Sequence, residues 1–302
     1  MDRKSFLKLS ASSLVAMHTE GVHAKIFDAA AQNNEGLLVR FLGTGAADWN
    51  GKDSRGELRR LSSILLDSRT LVDLTPSCLD MIPAGVQPDT IIYTHSHGDH
   101  YTPEAALKVG VKRVYLSQTW FDIAVTEFKT AAKKLDLPMP QIMPLYVGQA
   151  IEINSLTVTP LPASHATGKK FEQTLMYLIE KADVRLLYAT DTGGIPAVAA
   201  RIAGIDAHDN EGKPITAIIF EATMGMGHDD DFRSFTHTSV EGVERIVRVL
   251  EKTKRYTPPM GQPVYLTHMA RTLHGTQAEL DANLPQPLRA AYDGLEVMFK
   301  SV

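Results

Sequence analysis

The sequence predicts an α/β (α+β) fold in which two β-sheets lie between outer layers of helices, a four-layer αββα sandwich. Two observations lead to this class. Strand-like and helical stretches alternate in two halves of the chain, and a histidine or aspartate directly follows several of the apolar runs. With 302 residues and 44% hydrophobic content, the chain can bury a core of the size that such a sandwich needs.

The first 24 residues resemble an export signal rather than part of a fold. A basic head around Arg3 and Lys4 precedes a short, moderately apolar stretch at 9–17 and small residues at 22–24. The residue order in this basic segment, Arg-Lys-Ser-Phe-Leu-Lys, resembles a twin-arginine export signal, with Lys4 in place of the second arginine. These features predict export to the periplasm, and a cytoplasmic protein with a helical N-terminus is the alternative.

A polar connector at 25–36 leads to one predicted domain at 37–302. Its first strand is expected at 37–42, and the glycines of Gly43-Thr44-Gly45 are expected to make a tight turn after it. Apolar runs of strand length predict the later strands, the first two of them paired as a hairpin. These runs are at 60–67, 70–75, 89–94, 111–117, 174–179, 184–188 and 217–220, with short strands about Ile151 and Leu156.

Helices are predicted where apolar residues recur at three- and four-residue spacing. Two such faces are Trp120, Ala124, Phe128, Ala131 and Leu135, and then Val240, Val243, Ile246, Val247 and Leu250. The prolines at 138–140 are expected to end the first of these helices. Another helical stretch should open at Gly193-Gly194 and run through Arg201. Thr238 and Glu241 have the spacing of a capping box for the helix that follows them.

Three imidazoles and one carboxylate lie within the stretch His95-Ser96-His97-Gly98-Asp99-His100. Because a predicted strand runs into it, His95 and His97 should point to the same side of the chain. The glycine then permits a sharp turn that returns Asp99 and His100 to the same region. Six residues cannot surround one tetrahedral ion without strain, so two adjacent metal ions are the easier arrangement.

This spacing resembles the His-x-His-x-Asp-His signature of the metallo-β-lactamase superfamily of hydrolases. The resemblance implies more ligands downstream, and His165, Asp191 and His268 each follow an apolar run. It implies three groups of ligands: His95, His97 and His165 for one ion, Asp99, His100 and His268 for the other, and Asp191 as the bridge.

Other segments resemble the branch of the superfamily that contains ribonuclease Z and small cyclic phosphodiesterases. The opening segments at 41–45 and 62–66 share this resemblance, as do Glu221-Ala-Thr and His237-Thr-Ser. It implies that Glu221 orients His237, which donates a proton to the leaving oxygen. Phe220 stands where that branch usually has a histidine, so only part of the motif is present. A capping or solvent-exposed histidine is the alternative for His237.

The ligand set implies two divalent cations, with zinc as the first choice and manganese or iron as alternatives. Two such ions about 3.5 to 4 Å apart would lower the pKa of a bridging water and neutralise charge on a phosphoryl oxygen. Asp99 could accept the proton of that water. A binuclear hydrolase acting through a metal-bridging hydroxide on a small cyclic or linear phosphodiester is therefore predicted.

Net charge and composition argue against several classes of binding partner. The formal charge is −4, which gives no basic surface for nucleic acid, and no protruding arm is evident between His100 and His165. The single Cys78 excludes an intrachain disulfide framework, and no apolar run has the length of a membrane span. The sequence does not determine the oligomeric state, and a homodimer is one of the states that it allows.

Three other functions share these features. A ribonuclease Z-like endonuclease and an acyl hydrolase of the lactonase or β-lactamase type would use the same metal ligands. A non-catalytic metal-binding protein on the same scaffold belongs to a different class. Around the site, Lys169 and Lys170 could contact a phosphate, whereas His228 and the aspartates at 229–231 are expected to form a rim that touches solvent.

Overall fold

In residues 36–206 and 212–300, which the computed structural model describes, fourteen strands form two seven-stranded sheets. The first sheet has the order β14-β1-β2-β3-β4-β5-β6. Its strands are β1 (Gly36–Gly43), β2 (Ser63–Leu66), β3 (Thr70–Val72), β4 (Thr90–Ile92), β5 (Arg113–Ser117), β6 (Gln141–Leu145) and β14 (Glu296–Lys300). The β2–β3 pair is antiparallel, as predicted, and β3 to β6 run parallel.

The second sheet has the order β13-β12-β11-β10-β9-β8-β7. Its strands are β7 (Ile151–Ile153), β8 (Leu156–Pro162), β9 (Leu175–Lys181), β10 (Val184–Ala189), β11 (Ala217–Glu221), β12 (Val264–Thr267) and β13 (Leu288–Ala290). Strands β10 to β13 are parallel to one another, so their carboxyl ends lie at one edge of the sheet.

Five α-helices cover the outer faces in the described residues. They are α1 (Pro103–Val109), α2 (Phe121–Leu135), α3 (Ala197–Ile202), α4 (Val240–Lys252) and α5 (Gln277–Asn283). One core cluster joins the inner faces of the two sheets, including Phe41 and Tyr177. A second packs α1 and α2 on the first sheet, and a third packs α3 and α4 on the second. The predicted αββα sandwich is thus confirmed.

Three helix boundaries differ from the sequence-based prediction. Helix α3 begins at Ala197, after the N-cap residue Pro196, and not at Gly193-Gly194. Helix α2 ends at Leu135 because Asp136 adopts the left-handed conformation with φ 52°, before the prolines are reached. Helix α4 is capped by Ser239, whose side chain accepts a hydrogen bond from the Gly242 amide. The predicted capping box of Thr238 and Glu241 is therefore wrong, since the Thr238 hydroxyl instead donates to the Thr192 carbonyl.

Gly43, the last residue of β1, and Gly45 do not form the predicted tight turn. Neither Gly43 nor Gly45 has a positive φ. Gly45 instead makes bridges to Leu61 and Met269, and a Cβ atom at Gly43 would lie 2.0 Å from the Leu61 carbonyl oxygen. These positions need glycine because another chain segment approaches closely.

The predicted export signal and nearly all of the connector lie outside the described residues. Gly36, the last residue assigned to the connector, already belongs to β1. Within the described residues, none of the helices has both the length and the apolar character that crossing a bilayer requires.

A buried ion pair joins the two sheets. Lys181 at the end of β9 lies 2.7 Å from the carboxylate of Asp67, which follows β2, and both side chains are about 95% buried, at 4% and 5% exposed. The other carboxylate oxygen of Asp67 accepts a hydrogen bond from the Leu38 amide. Losing one partner of such a pair leaves a buried charge without compensation.

We therefore expect Lys181→Met to lower the free energy of unfolding by about 3 kcal/mol, measured by urea denaturation. The double variant with Asp67→Asn should recover a large part of this loss, because the amide no longer carries a charge. Equal stabilities for the two variants would show that the uncompensated carboxylate is not the cause.

Candidate metal centre

The predicted ligands lie on loops that follow four strands. His95 and His97 come after β4, His165 after β8, Asp191 after β10 and His268 after β12. The carboxyl ends of these strands meet at one edge of the sandwich. Asp191 and His268 both have positive φ values, 49° and 52°, so the backbone at these two strand ends is held in a conformation that is uncommon for residues with a side chain.

The first group of three histidines is compact. The Nδ1 atom of His97 lies 3.1 Å from Nε2 of His95 and 3.1 Å from Nε2 of His165. His95 is fully buried, while the other two are partly accessible. These three nitrogens are close enough to one another to bind a single ion.

The second group lies beside the first. The Oδ2 atom of Asp99 is 3.3 Å from Nε2 of His100 and 3.4 Å from Nε2 of His268. Asp191 stands between the groups: its Oδ2 is 2.9 Å from His100 and 3.3 Å from His268, and its Oδ1 is 3.7 Å from His165. The structure thus brings all seven predicted ligands together.

The hydrogen bonds of His95 and His100 orient both rings through Asp73. The Thr94 hydroxyl donates to Asp73 at 2.7 Å, so it must accept the Nδ1–H of His95, which is 2.9 Å away. The Nδ1–H of His100 donates to Asp73 at 2.7 Å. Both rings therefore turn their Nε2 atom into the site. For His100 this nitrogen is fully buried without a hydrogen-bond partner.

His165 and His268 are held in the same way. The Nδ1–H of His165 donates to the Thr236 carbonyl at 3.1 Å. The Nδ1–H of His268 donates to the Thr223 hydroxyl at 2.8 Å, because that hydroxyl gives its own proton to Glu221. The Nε2 atoms of four imidazoles thus converge on the carboxylates of Asp99 and Asp191. This donor set fits divalent cations, and nitrogen and oxygen ligands of this kind suit zinc, manganese or iron.

Burial and charge set the protonation of the ligands. Burial, together with the neighbouring histidines, holds the pKa of His95 well below its ordinary value, which keeps its ring neutral. Burial alone would raise the pKa of Asp191, but the charges of His268 and His100 hold it well below its usual range. Burial lowers the pKa of His100, but the charges of Asp191, Asp99 and Asp73 outweigh it and hold that pKa well above its ordinary value, so this ring carries a second proton. A metal ion would displace this proton, because metals bind neutral imidazoles and ionised carboxylates.

His237 and Glu221 form the second predicted unit. The Nδ1 atom of His237 lies 3.2 Å from Oε2 of Glu221 and 3.7 Å from Oδ1 of Asp191. Burial lowers the pKa of His237, but the charge and hydrogen bond of Glu221 outweigh it and raise the pKa to about 9. The ring of His237 stacks on that of His268 at 5.7 Å, so it lies beside the ligand cluster and is not a solvent-exposed histidine.

Comparison with known proteins gives the family. The family model described as "Beta-lactamase superfamily domain" matches residues 71–269. The chain belongs to the metallo-β-lactamase superfamily. This confirms the resemblance drawn from the His95 stretch. No curated protein sequence matches the chain significantly.

Solved structures of this superfamily share the fold at low identity. The metallo-β-lactamase fold protein YhfI from Bacillus subtilis is 15% identical with a TM-score of 0.61, covering 87% of this chain and 100% of its own. Zn²⁺-bound PqqB from Methylobacterium extorquens is 17% identical with a TM-score of 0.62, covering 86% and 99%. The short form of human tRNase Z is 13% identical with a TM-score of 0.60, covering 86% and 98%.

A cleft of about 250 Å³ lies over the predicted metal-ligating side chains. Five of the seven predicted ligands line it, together with His237 and Thr223. Two further lining residues, Asp48 and Arg233, were not predicted from the sequence. Arg233 lies only four residues before His237, and this proximity was the available signal. Asp73, which orients two ligand rings, was also missed, although it interrupts the predicted strand at 70–75.

The predicted rim of the site needs correction. Lys169 does not line this cleft; its ammonium group lies over the Trp120 ring and 3.8 Å from Glu127. The aspartates at 229–231 do more than touch solvent. Asp229 accepts a hydrogen bond from Ser239 at 2.6 Å, and Asp231 pairs with Arg233 at 2.7 Å.

His274 supports the strand end that carries Glu221. Its Nε2–H donates to the Ala222 carbonyl at 2.6 Å, and burial lowers its pKa from 6.5 to about 4. Between pH 6.5 and pH 4, this residue is therefore protonated in the unfolded chain and neutral in the folded chain. Because the folded-state pKa is depressed, this residue makes stability fall as the pH falls through that window.

We expect wild-type protein to lose about 2 kcal/mol more stability than His274→Gln between pH 7 and pH 5. Glutamine keeps a donor for the Ala222 carbonyl but has no group that titrates. Urea unfolding of both proteins with a chelator present excludes metal release as the cause. The same pH dependence in the two proteins would contradict the assignment.

Proposed function

We propose that this protein is a binuclear metal-dependent phosphodiesterase that cleaves a small cyclic or linear phosphodiester. Membership of the metallo-β-lactamase superfamily, which consists largely of metal-dependent hydrolases, supports an enzyme. The converging ring nitrogens of His95, His100, His165 and His268 support metal binding, because together with two carboxylates they place the ligand atoms of divalent cations within one buried site.

The ligand groups assign the residues to two ions. His95, His97 and His165 would hold one ion, Asp99, His100 and His268 the other, and Asp191 would bridge them. When bound, such ions lower the pKa of a water and neutralise charge that builds on a phosphoryl oxygen. Asp99, whose carboxylate lines the cleft, is the candidate to accept the proton of the attacking water.

One observation carries the choice of phosphodiester: a histidine held by a buried carboxylate lies beside the ligands. Glu221 is fully buried and also accepts a hydrogen bond from the Thr192 amide, next to Asp191. It holds His237 on the cleft wall, where that ring can protonate a departing alkoxide oxygen. Hydrolysis of a phosphodiester with an alkoxide leaving group needs such an acid, and it contributes about 100- to 10,000-fold.

A small substrate is favoured over RNA. The human tRNase Z among the fold neighbours is named for action on transfer RNA. In this chain the described residues between His100 and His165 are taken up by α1, α2 and strands β5 to β8, without a protruding arm. The cleft is small, and the net charge is −4. A polyanion would find little electrostatic attraction here.

Metal removal tests the first half of the proposal. We expect chelation to abolish hydrolysis of bis(4-nitrophenyl) phosphate, and zinc, manganese or iron to restore it. His97→Ala should lose bound metal and activity together, whereas His228→Ala, a histidine outside the ligand cluster, should keep both. Turnover of lactams or lactones in the absence of phosphodiester turnover would instead indicate an acyl hydrolase.

The dependence on leaving group tests His237. A 4-nitrophenolate ion leaves without protonation, whereas an alkoxide requires an acid. We therefore expect His237→Gln to reduce kcat for an alkyl phosphodiester by about 100-fold or more and to change the 4-nitrophenyl substrate far less. Metal content measured on the same samples should be unchanged. Equal losses on both substrates would mean that His237 does not act as the acid.

A further inference from the structure

Arg233 lines the cleft from a 3₁₀ turn, Phe232–Phe235, that belongs to the same wall as His237. The Arg233 carbonyl accepts hydrogen bonds from the amides of Thr236 and His237, both at 2.8 Å. Since the Thr236 carbonyl in turn holds the ring of His165, this short segment connects the guanidinium group to a predicted ligand and to the predicted acid.

The charge of Arg233 is unusual for its surroundings. Among the cleft-lining residues in the described part of the chain, it is the only lysine or arginine. Three carboxylates, Asp48, Asp99 and Asp191, also line the cleft, and the other lining group that carries a positive charge is His237, the proposed proton donor. A guanidinium that keeps its proton, on a wall facing carboxylate ligands, is the natural contact for a substrate group that is itself negatively charged.

Two neighbours hold the guanidinium in place. Its Nε and Nη2 atoms donate to the Asp231 carboxylate at 2.8 and 2.7 Å, and the Phe232 ring lies 5.3 Å from its central carbon. A guanidinium has five N–H donors, so the pair with Asp231 leaves three of them for another acceptor. The side chain remains 31% exposed at the mouth, which makes those donors accessible.

We infer that Arg233 binds an anionic oxygen of the substrate, and that Asp231 positions it for this contact. The oxygen belongs either to the scissile phosphoryl group or to a second anionic group beside it. This assignment rests on the proposed function for the identity of the substrate. The anion-binding role itself is a property of the cleft and can be measured without turnover.

The test compares metal-loaded wild type, Arg233→Gln, Arg233→Lys and Arg245→Gln. Arg245 is the matched control: it pairs with Asp229 at 2.6 Å on the adjoining segment but does not line the cleft. Calorimetry with inorganic phosphate should show binding about tenfold weaker in Arg233→Gln, partial recovery in Arg233→Lys, and no change in Arg245→Gln. Equal phosphate affinity in all four proteins, or no binding to wild type, would overturn the inference.

Kinetics then separate the two sources of the anionic oxygen. If the oxygen is phosphoryl, Arg233→Gln lowers kcat/KM for every phosphodiester by about 10- to 100-fold and leaves a neutral 4-nitrophenyl ester unaffected. If it belongs to a second group, the loss is confined to a phosphodiester that carries an added carboxylate. Asp231→Asn should raise KM more than it lowers kcat, because it loosens the guanidinium without removing it.

Failure of this inference differs from failure of the proposed function. A wild-type protein that binds phosphate through Arg233 yet cleaves only acyl substrates would retain the anion site and contradict the phosphodiesterase assignment. A wild-type phosphodiesterase whose kcat/KM is the same with Arg233→Gln, both for a plain phosphodiester and for one that carries an added carboxylate, would contradict the anion site alone.

Discussion

The structure of the site depends on hydrogen bonds that consume one N–H of each imidazole. His95, His100, His165 and His268 donate from Nδ1 to a hydroxyl, a carboxylate or a carbonyl outside the cluster. Each ring is thereby fixed in one tautomer with its other nitrogen directed inward. Four ring nitrogens and two carboxylates therefore face the same small volume, so the arrangement of the acceptors explains why the centre fits metals.

Three of the four acceptors are supplied by the ends of strands, and the fourth, the Thr236 carbonyl, belongs to the segment at 231–237. Asp73 follows β3, Thr94 follows β4 and Thr223 follows β11, so each comes from a strand end next to the ligands it orients. Asp73 serves His100 directly and His95 through Thr94, and its own backbone has a positive φ of 57°. Packing of the two sheets therefore determines ring orientation, and the strain at such positions is offset by the surrounding core.

Residues 231–237 form one wall of the cleft and make its two sides chemically different. It carries a guanidinium at one end and the proposed proton donor His237 at the other, and it contacts the ligand group through the Thr236 carbonyl. Glu221 anchors the inner side of this wall by binding both His237 and the Thr192 amide. A substrate would thus contact metal ions at the base of the cleft, and the guanidinium group and the acid on one wall. This arrangement suits an anionic ester more than a neutral one.

From the sequence alone, alternating strand-like and helical stretches predicted the fold class. The resemblance of the His95 stretch to a superfamily signature then pointed to His165, Asp191 and His268 as further candidate ligands, each of which follows an apolar run. Local spacing could not identify Asp73, Thr223 or Arg233 as partners. Asp73 acts through a contact with Thr94, which lies 21 residues away in the sequence. The turn that carries Arg233 is positioned by a hydrogen bond from the Ser164 hydroxyl to the Phe235 carbonyl. The helix cap at Ser239 rather than Thr238 has the same origin: the Thr238 hydroxyl is drawn to the Thr192 carbonyl, a partner that exists only once the second sheet and its loops are assembled.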